Sequence, residues 1–305
     1  MASDPKSDTF PIVDPHQHFW DLGRNYYPWL CDPNTPPRRY GDITPLKQNY
    51  MPPDYLRDVG ALNIDKTVHV EALWDPADPA GETRWLDQVA AEYGYPHACI
   101  AAAPFMRDDI DEILARHAKS KLTRGVRNYP AAAPSGAETT RGATGSMDDD
   151  KWRRGYALHE KHGFSFDLQT PWWHLDAAAA LARDFPNTQM IVLHTGLPAD
   201  RGGEALAAWR AALETVAAQP NVAIKISGLG RKGLPWTLTA NGTIIRDAIN
   251  IFGPERAMFA SNFPVDGLAG SFPMIYGGFR AAVSNRPMEE RRMLFHDTAS
   301  RIYRL

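Results

Sequence analysis

Short apolar runs alternate with longer stretches of helical periodicity from one end of the chain to the other. Eight runs read as strands, over residues 12–18, 67–72, 99–105, 122–128, 164–169, 190–196, 222–229 and 257–263. Apolar positions recurring every three or four residues place helices over 82–93, 110–119, 151–162, 175–184, 203–219 and 243–252. Gly94 and Gly163 follow two of these helices, and Pro186-Asn187 precedes a strand. Strand–helix alternation predicts a parallel sheet. Eight units within 305 residues predict an α/β protein, a (β/α)8 TIM barrel, as a single domain over 1–305 with long loops at the C-terminal face. A doubly wound sheet is the alternative, but the GxGxxG turn that a dinucleotide-binding version wants after its first strand is missing.

Two long stretches interrupt the rhythm. Residues 21–51 are rich in Pro, Asn, Asp and aromatics and follow the first strand; residues 131–150 are rich in Ala, Gly, Ser and Thr and follow the fourth. Segments after barrel strands lie at the active-site face, so both read as candidate lids, with a disordered insert as the other reading of 131–150. Residues 1–10 read as a flexible N-terminus without the apolar core of a secretory signal. A formal net charge of −3 without blocks of like charge argues against nucleic acid or an anionic membrane as partner. Cys31 and Cys99 form no CxxC, so two reduced thiols and a cytoplasmic location are expected. The expected partner is a small-molecule substrate, and assembly into a homo-oligomer stays open.

The chemistry gathers at the ends of the expected strands. His16 and His18 share parity on strand 1, so both imidazoles point to one side, where they can grip one divalent cation or hydrogen-bond an oxyanion. Strand 6 runs through three apolar residues into His194-Thr195-Gly196. On strand 5, Asp167 and Gln169 share parity. Arg127 on strand 4 has the forked donor set that holds a carboxylate, or else forms an ion pair inside the barrel, for instance with Asp167. Glu71 on strand 2 could be a ligand, a general base or an ion-pair member. Lys225 and Ser227 on strand 7 suit the barrel interior as well as catalysis. Strand 8 brings Asn262 to the mouth, with Asp266 in the loop beyond. Trp20, Tyr26, Tyr27, Trp29, Trp74, Trp172, Trp173 and Trp236 lie beside strand ends, either packing over the barrel or lining a ring-binding pocket, for which Trp20 and Trp172 are the named candidates.

Together, Asp14-Pro-His-Gln-His-Phe-Trp-Asp21, Leu193-His-Thr-Gly196, Lys225-Ile-Ser-Gly228 and Ser261-Asn-Phe-Pro-Val-Asp266 resemble the amidohydrolase superfamily, in the branch with 2-pyrone-4,6-dicarboxylate lactonase and the sugar-acid lactonases. The resemblance runs from residue 12 to 305. It implies a pocket built from the strand-1 histidine pair, a strand-6 histidine and a strand-8 aspartate. His16, His18 and His194 match three of these. The fourth is Asn262, and a carboxamide is no practical base, so Asp266, Glu71 or Asp167 would have to handle the proton. Strand 5 lacks the histidine, and strand 4 the lysine, of the two-metal members. One zinc or manganese on His16, His18 and His194 is therefore implied, or catalysis without metal as in some lactonases of the branch. The expected activity is hydrolysis of a lactone or related cyclic ester of a carboxylated or aromatic small molecule, with Arg127, Asp167, Gln169 and Asn262 binding substrate. A metal-dependent decarboxylase of a carboxylated aromatic is the alternative enzyme, and a ligand-binding pseudoenzyme the alternative of another kind.

Overall fold

Alternating side chains on each strand must satisfy two different surroundings, the barrel interior and the helical layer outside. The computed structural model describes residues 10–33, 35 and 39–305; the expected flexible segment lies almost wholly outside them. Eight strands pair in parallel in sequence order: β1 (Ile12–Gln17), β2 (Ile64–Val70), β3 (Ala98–Ala102), β4 (Thr123–Asn128), β5 (Ser165–Leu168), β6 (Met190–Val192), β7 (Val222–Ile226) and β8 (Ala257–Phe259). β8 meets β1 through a single parallel bridge, Gln17 with Phe263, so the sheet is a nearly closed barrel with helices between its strands. The structure is thus the (β/α)8 barrel that the periodicity predicts.

The alternation is legible in the packing. Val13, Val68, Val70, Ile100, Ile191, Ala223 and Met258 fill the interior together with Ile302 and Tyr303 of the terminal helix (Thr298–Tyr303). Their neighbours Ile12, Cys99, Val126, Phe166, Val192 and Ile224 pack against the surrounding helices. In β1 the pairing register shifts between Asp14 and Gln17. Asp14 reaches Tyr55 of the helix Pro52–Val59, whereas the His16 ring lies 5.0 Å from that of His18 and 4.8 Å from that of His194.

Several elements differ from the pattern-based expectation. The strand expected over 190–196 ends at Val192, because His194 and Thr195 take left-handed backbone angles, both with φ 54°. The helix expected over 151–162 splits into Asp150–Ala157 and a 3-10 turn Glu160–His162. The helix expected from 243 starts at Leu238, where the Thr237 hydroxyl accepts from the Ala240 amide. Pro52–Val59 and Phe272–Ala282 are helices beyond those that the periodicity predicts. No helix among the described residues is long and apolar enough to cross a membrane.

A buried ion pair crosses the interior. Lys225 Nζ lies 2.7 Å from Asp167 Oδ2, both side chains being fully buried, and the Tyr303 hydroxyl donates to the same carboxylate at 3.0 Å. Removing one member leaves the other charge without compensation, at a cost of about 3–5 kcal/mol. Asp167→Asn is accordingly expected to lower the unfolding free energy by about that much in urea titrations, and Asp167→Leu/Lys225→Met to recover most of the loss. Equal destabilisation by both variants would contradict this account.

Candidate active site

The seam between β8 and β1 sets the site. Asp14 accepts from the Ser261 amide at 2.9 Å, the Ser261 hydroxyl at 2.6 Å and the Tyr55 hydroxyl at 2.9 Å. Burial raises the pKa of this carboxyl, and the same hydrogen bonds oppose that shift. The Asn262 amide then donates to the His16 carbonyl at 2.7 Å and the His18 amide to the Phe263 carbonyl at 2.8 Å. Asn262 itself sits at φ 54°, a left-handed conformation costing a non-glycine residue on the order of 1 kcal/mol or more.

Each nearby carboxylate already has partners. Glu71 Oε1 lies 2.7 Å from Arg127 Nε, and Glu71 Oε2 accepts from the Leu73 amide at 2.8 Å. Glu71 is thus an ion-pair member, and Arg127 is matched to it rather than to Asp167, which turns to Lys225. Asp266 Oδ1 accepts from Asn262 Nδ2 at 2.8 Å and from the Tyr40 hydroxyl at 2.7 Å, while Oδ2 accepts from the Gly228 amide at 2.9 Å. Burial raises the Asp266 pKa, against the hydrogen bond from Asn262 and the nearby Arg39 charge. Both Asp266 oxygens are already accepting hydrogen bonds and the residue is outside the lining of the cavity over the histidines, so it is not the free loop aspartate that the sequence suggests.

The histidines are the groups left with lone pairs. His18 Nδ1 faces the Val70 carbonyl at 2.6 Å and must donate to it, so in the neutral ring Nε2 is unprotonated. That Nε2 lies 3.3 Å from Asn262 Oδ1, also an acceptor. The amide cannot turn to relieve this, because Nδ2 is held by Asp266 and by the Tyr40 hydroxyl at 3.1 Å. His194 Nδ1 shares a 2.9 Å hydrogen bond with the Ser227 hydroxyl. Both ring nitrogens of His16 are buried and without a hydrogen-bond partner. Burial, foremost, holds all three pKa values well below 6.5; Lys225 adds to this at His16, Arg127 at His18, and Arg39 at His194. Among the described residues no three His, Cys, Asp or Glu side chains stand as a ligand cage. The donor type nevertheless fits one borderline ion, since neutral imidazoles with free nitrogens are what zinc or manganese takes.

A cavity of about 330 Å3 opens over these groups. His18, His194, Arg127, Gln169 and Asn262 line it. Gln169 Oε1 accepts from Arg127 Nη1 at 3.4 Å. His16 lies beneath. Asp167 is outside the lining, engaged in the barrel interior. So are the two named tryptophans: Trp20 is buried behind His18 with Nε1 donating to the Gln48 carbonyl, and Trp172 packs edge-on against Trp173. Segment 131–150 lines a separate cavity, tied to Trp173 and His174. Arg39, Tyr40, Leu73 and Tyr129 line the main cavity and were not singled out from the sequence. Arg39 and Tyr40 belong to the stretch read as a lid, whose proline-rich composition carries no periodicity to say which residues turn inward.

The amidohydrolase family profile matches residues 13–305. An uncharacterized protein of Sinorhizobium fredii, y4mH, is 40% identical over 96% of this chain and 98% of its own. An L-fucono-1,5-lactonase of Burkholderia multivorans is 28% identical over 96% of each chain. A crystal structure of a Burkholderia multivorans amidohydrolase with bound zinc is 25% identical, with a TM-score of 0.77 over 97% of this chain and 100% of that one. The chain belongs to the amidohydrolase family. It is an enzyme, a hydrolase of that family.

The Asn262–Asp266 contact allows a direct check. Asn262→Asp would set two carboxylates at hydrogen-bond distance, and the pair would hold a proton. A pKa raised in the folded state stabilises at low pH, and that stability is lost as pH rises through it. The variant is expected to lose about 1–3 kcal/mol relative to wild type as pH rises from about 4, the unfolded carboxylate value, to about 6, and the loss stays constant above that. Parallel pH–stability curves would contradict the contact.

Proposed function

We propose that this enzyme hydrolyses a lactone of a small hydroxy acid. The observation that carries the reading is the acceptor pair, His18 Nε2 and Asn262 Oδ1, held 3.3 Å apart in a cavity shared with Arg127 and Arg39. A water molecule donating one hydrogen to each acceptor reconciles them, and it is then oriented by two fixed groups. The lactonase relatives support ring opening of a sugar-acid lactone as the reaction.

In this mechanism the water oxygen attacks the lactone carbonyl as His18 Nε2 takes its proton. The Val70 carbonyl keeps the ring in the tautomer that leaves Nε2 free. Negative charge developing on the carbonyl oxygen is stabilised by the guanidinium groups of Arg127 and Arg39. Arg127 is held for this by Glu71, Gln169 and the Tyr129 ring face at 4.8 Å. Collapse of the tetrahedral species breaks the ring C–O bond, and the departing alkoxide takes the proton back from His18. A divalent ion, zinc or manganese, would be held by His16 and His194 and would supply a Lewis acid when bound. Asp266 orients the Asn262 amide and takes no proton.

A panel of sugar-acid lactones followed in a pH-stat tests the reading, since ring opening yields an acid that releases one proton per turnover. His18→Ala is expected to lower kcat/KM about 10²–10⁴-fold with the fold intact by circular dichroism. Carbon dioxide release from carboxylated aromatics, or intact ligand after long incubation, would sink it. A second expectation follows from the depressed His18 pKa. The base stays free down through the ordinary imidazole range, so the rising limb of kcat/KM lies below about pH 6.5. A rising limb centred above that value would exclude His18 as the base.

A further inference from the structure

Beside the histidine cavity lies a second one, of about 280 Å3, built by the turns that follow β6 and β7. Its charged lining is wholly cationic: Arg39, Arg201, Arg231 and Lys232, with no aspartate or glutamate. None of the four forms an ion pair with a described residue. The nearest acid in sequence, Asp200, accepts from the Gly202 amide instead.

Arg201 is the fixed element. Its guanidinium donates to the Ala240 carbonyl at 2.7 Å, Asn241 Oδ1 at 2.6 Å, the Leu229 carbonyl at 3.0 Å and the Pro198 carbonyl at 3.3 Å. All of these acceptors are neutral, so the group is held rigidly while its charge stays uncompensated. Partial burial, then the charges of Arg231 and Arg39, bring its pKa down to about 10. Like charges gathered in a concave wall repel one another unless an anion enters among them.

The two cavities share Arg39. Between them runs Gly228, at φ +63°, where a Cβ would come within 2.5 Å of both Arg39 Nη2 and His194 Nδ1. Only a bare backbone fits there, so the cationic wall begins where the histidine cavity ends.

We propose that this second cavity binds an oxyanion substituent, carboxylate or phosphate, carried by the substrate outside its reacting ring, so that the enzyme prefers anionic lactones. The inference rests on the lactonase reading above, and it names the substrate class for that reaction. The neutral ring occupies the histidine cavity while the charged tail reaches past Arg39 to Arg201, Arg231 and Lys232. Arg201 keeps one Nη2 proton for the anion, so the forked donor set comes from Arg231 and a further charge from Lys232, a combination that suits either oxyanion.

The test uses Arg231→Gln/Lys232→Gln, two exposed positions away from the histidines. D-Glucono-1,5-lactone, its 6-phosphate and D-glucaro-1,4-lactone supply a neutral, a phosphorylated and a carboxylated substrate. The wild type is expected to show a KM about tenfold lower for at least one anionic lactone than for the neutral one. The variant should erase that difference while leaving kcat, and kcat/KM for the neutral lactone, unchanged. Which anionic lactone responds tells phosphate from carboxylate. Equal effects on neutral and anionic lactones, or no effect on either, would overturn the proposal. Isothermal titration with inorganic phosphate and with acetate supplies an arm that needs no turnover. Binding of either anion weakened about tenfold or more in the variant supports the site, and undiminished binding, or none to wild type, overturns it. If no lactone is opened yet anion binding depends on Arg231 and Lys232, the catalytic reading fails and the anion site stands. If lactones are opened with no preference for charge, the site fails and the catalytic reading stands.

Discussion

A barrel of eight strands needs one seam where the last strand meets the first, and here a buried carboxylate holds that seam beside two backbone hydrogen bonds. Asp14 joins β1 to the turn after β8 by two hydrogen bonds to Ser261, and it reaches outward to Tyr55 of the helical layer. Regular pairing between β8 and β1 is reduced to one bridge, so these side-chain bonds stand in for a ladder. Their geometry fixes where the backbone of Asn262 crosses that of His16. From that crossing follow the left-handed turn at Asn262, the direction of its amide and the approach of Oδ1 to His18. The site is therefore a consequence of how the barrel shuts.

The interior keeps its acids and bases in separate matches. Glu71 goes with Arg127, Asp167 with Lys225 and Tyr303, and Asp266 with Asn262, Tyr40 and Gly228. With every carboxylate engaged, nothing anionic is left to stabilise an imidazolium. Burial then drives His16, His18 and His194 toward the neutral form. The removal of carboxylates from the histidine cluster and the availability of imidazole lone pairs are one arrangement seen from two sides.

Much of this was legible in the sequence because periodicity reports on burial. Short apolar runs revealed the eight strands, and shared parity put His16 and His18 on one side, an expectation that survives the register shift between Asp14 and Gln17, since the two rings lie 5.0 Å apart. The strand assigned over 190–196 failed at its end for the same reason that it was assigned. Apolar residues run up to His194, but the backbone there turns left-handed, and no pattern of polarity encodes φ. Partner choice was equally hidden. Arg127 and Asp167 are adjacent in the paired strands, yet Arg127 finds its counter-charge just past β2 and Asp167 on β7. The neighbours of a charge in a barrel depend on how far each side chain reaches across the interior, which strand parity does not contain.

The inner core also ties the two ends of the described chain together, and this bears on how the molecule must be made. Val13 in the first strand packs in the same cluster as Ile302 and Tyr303, and Tyr303 completes the carboxylate pair deep in the barrel. Synthesis is vectorial, so β1 leaves the ribosome long before the residues that cover it. During that interval an apolar strand bearing the seam carboxylate has neither its closing neighbour nor its floor. The nascent barrel is then an open sheet with exposed edges until the terminal helix is made.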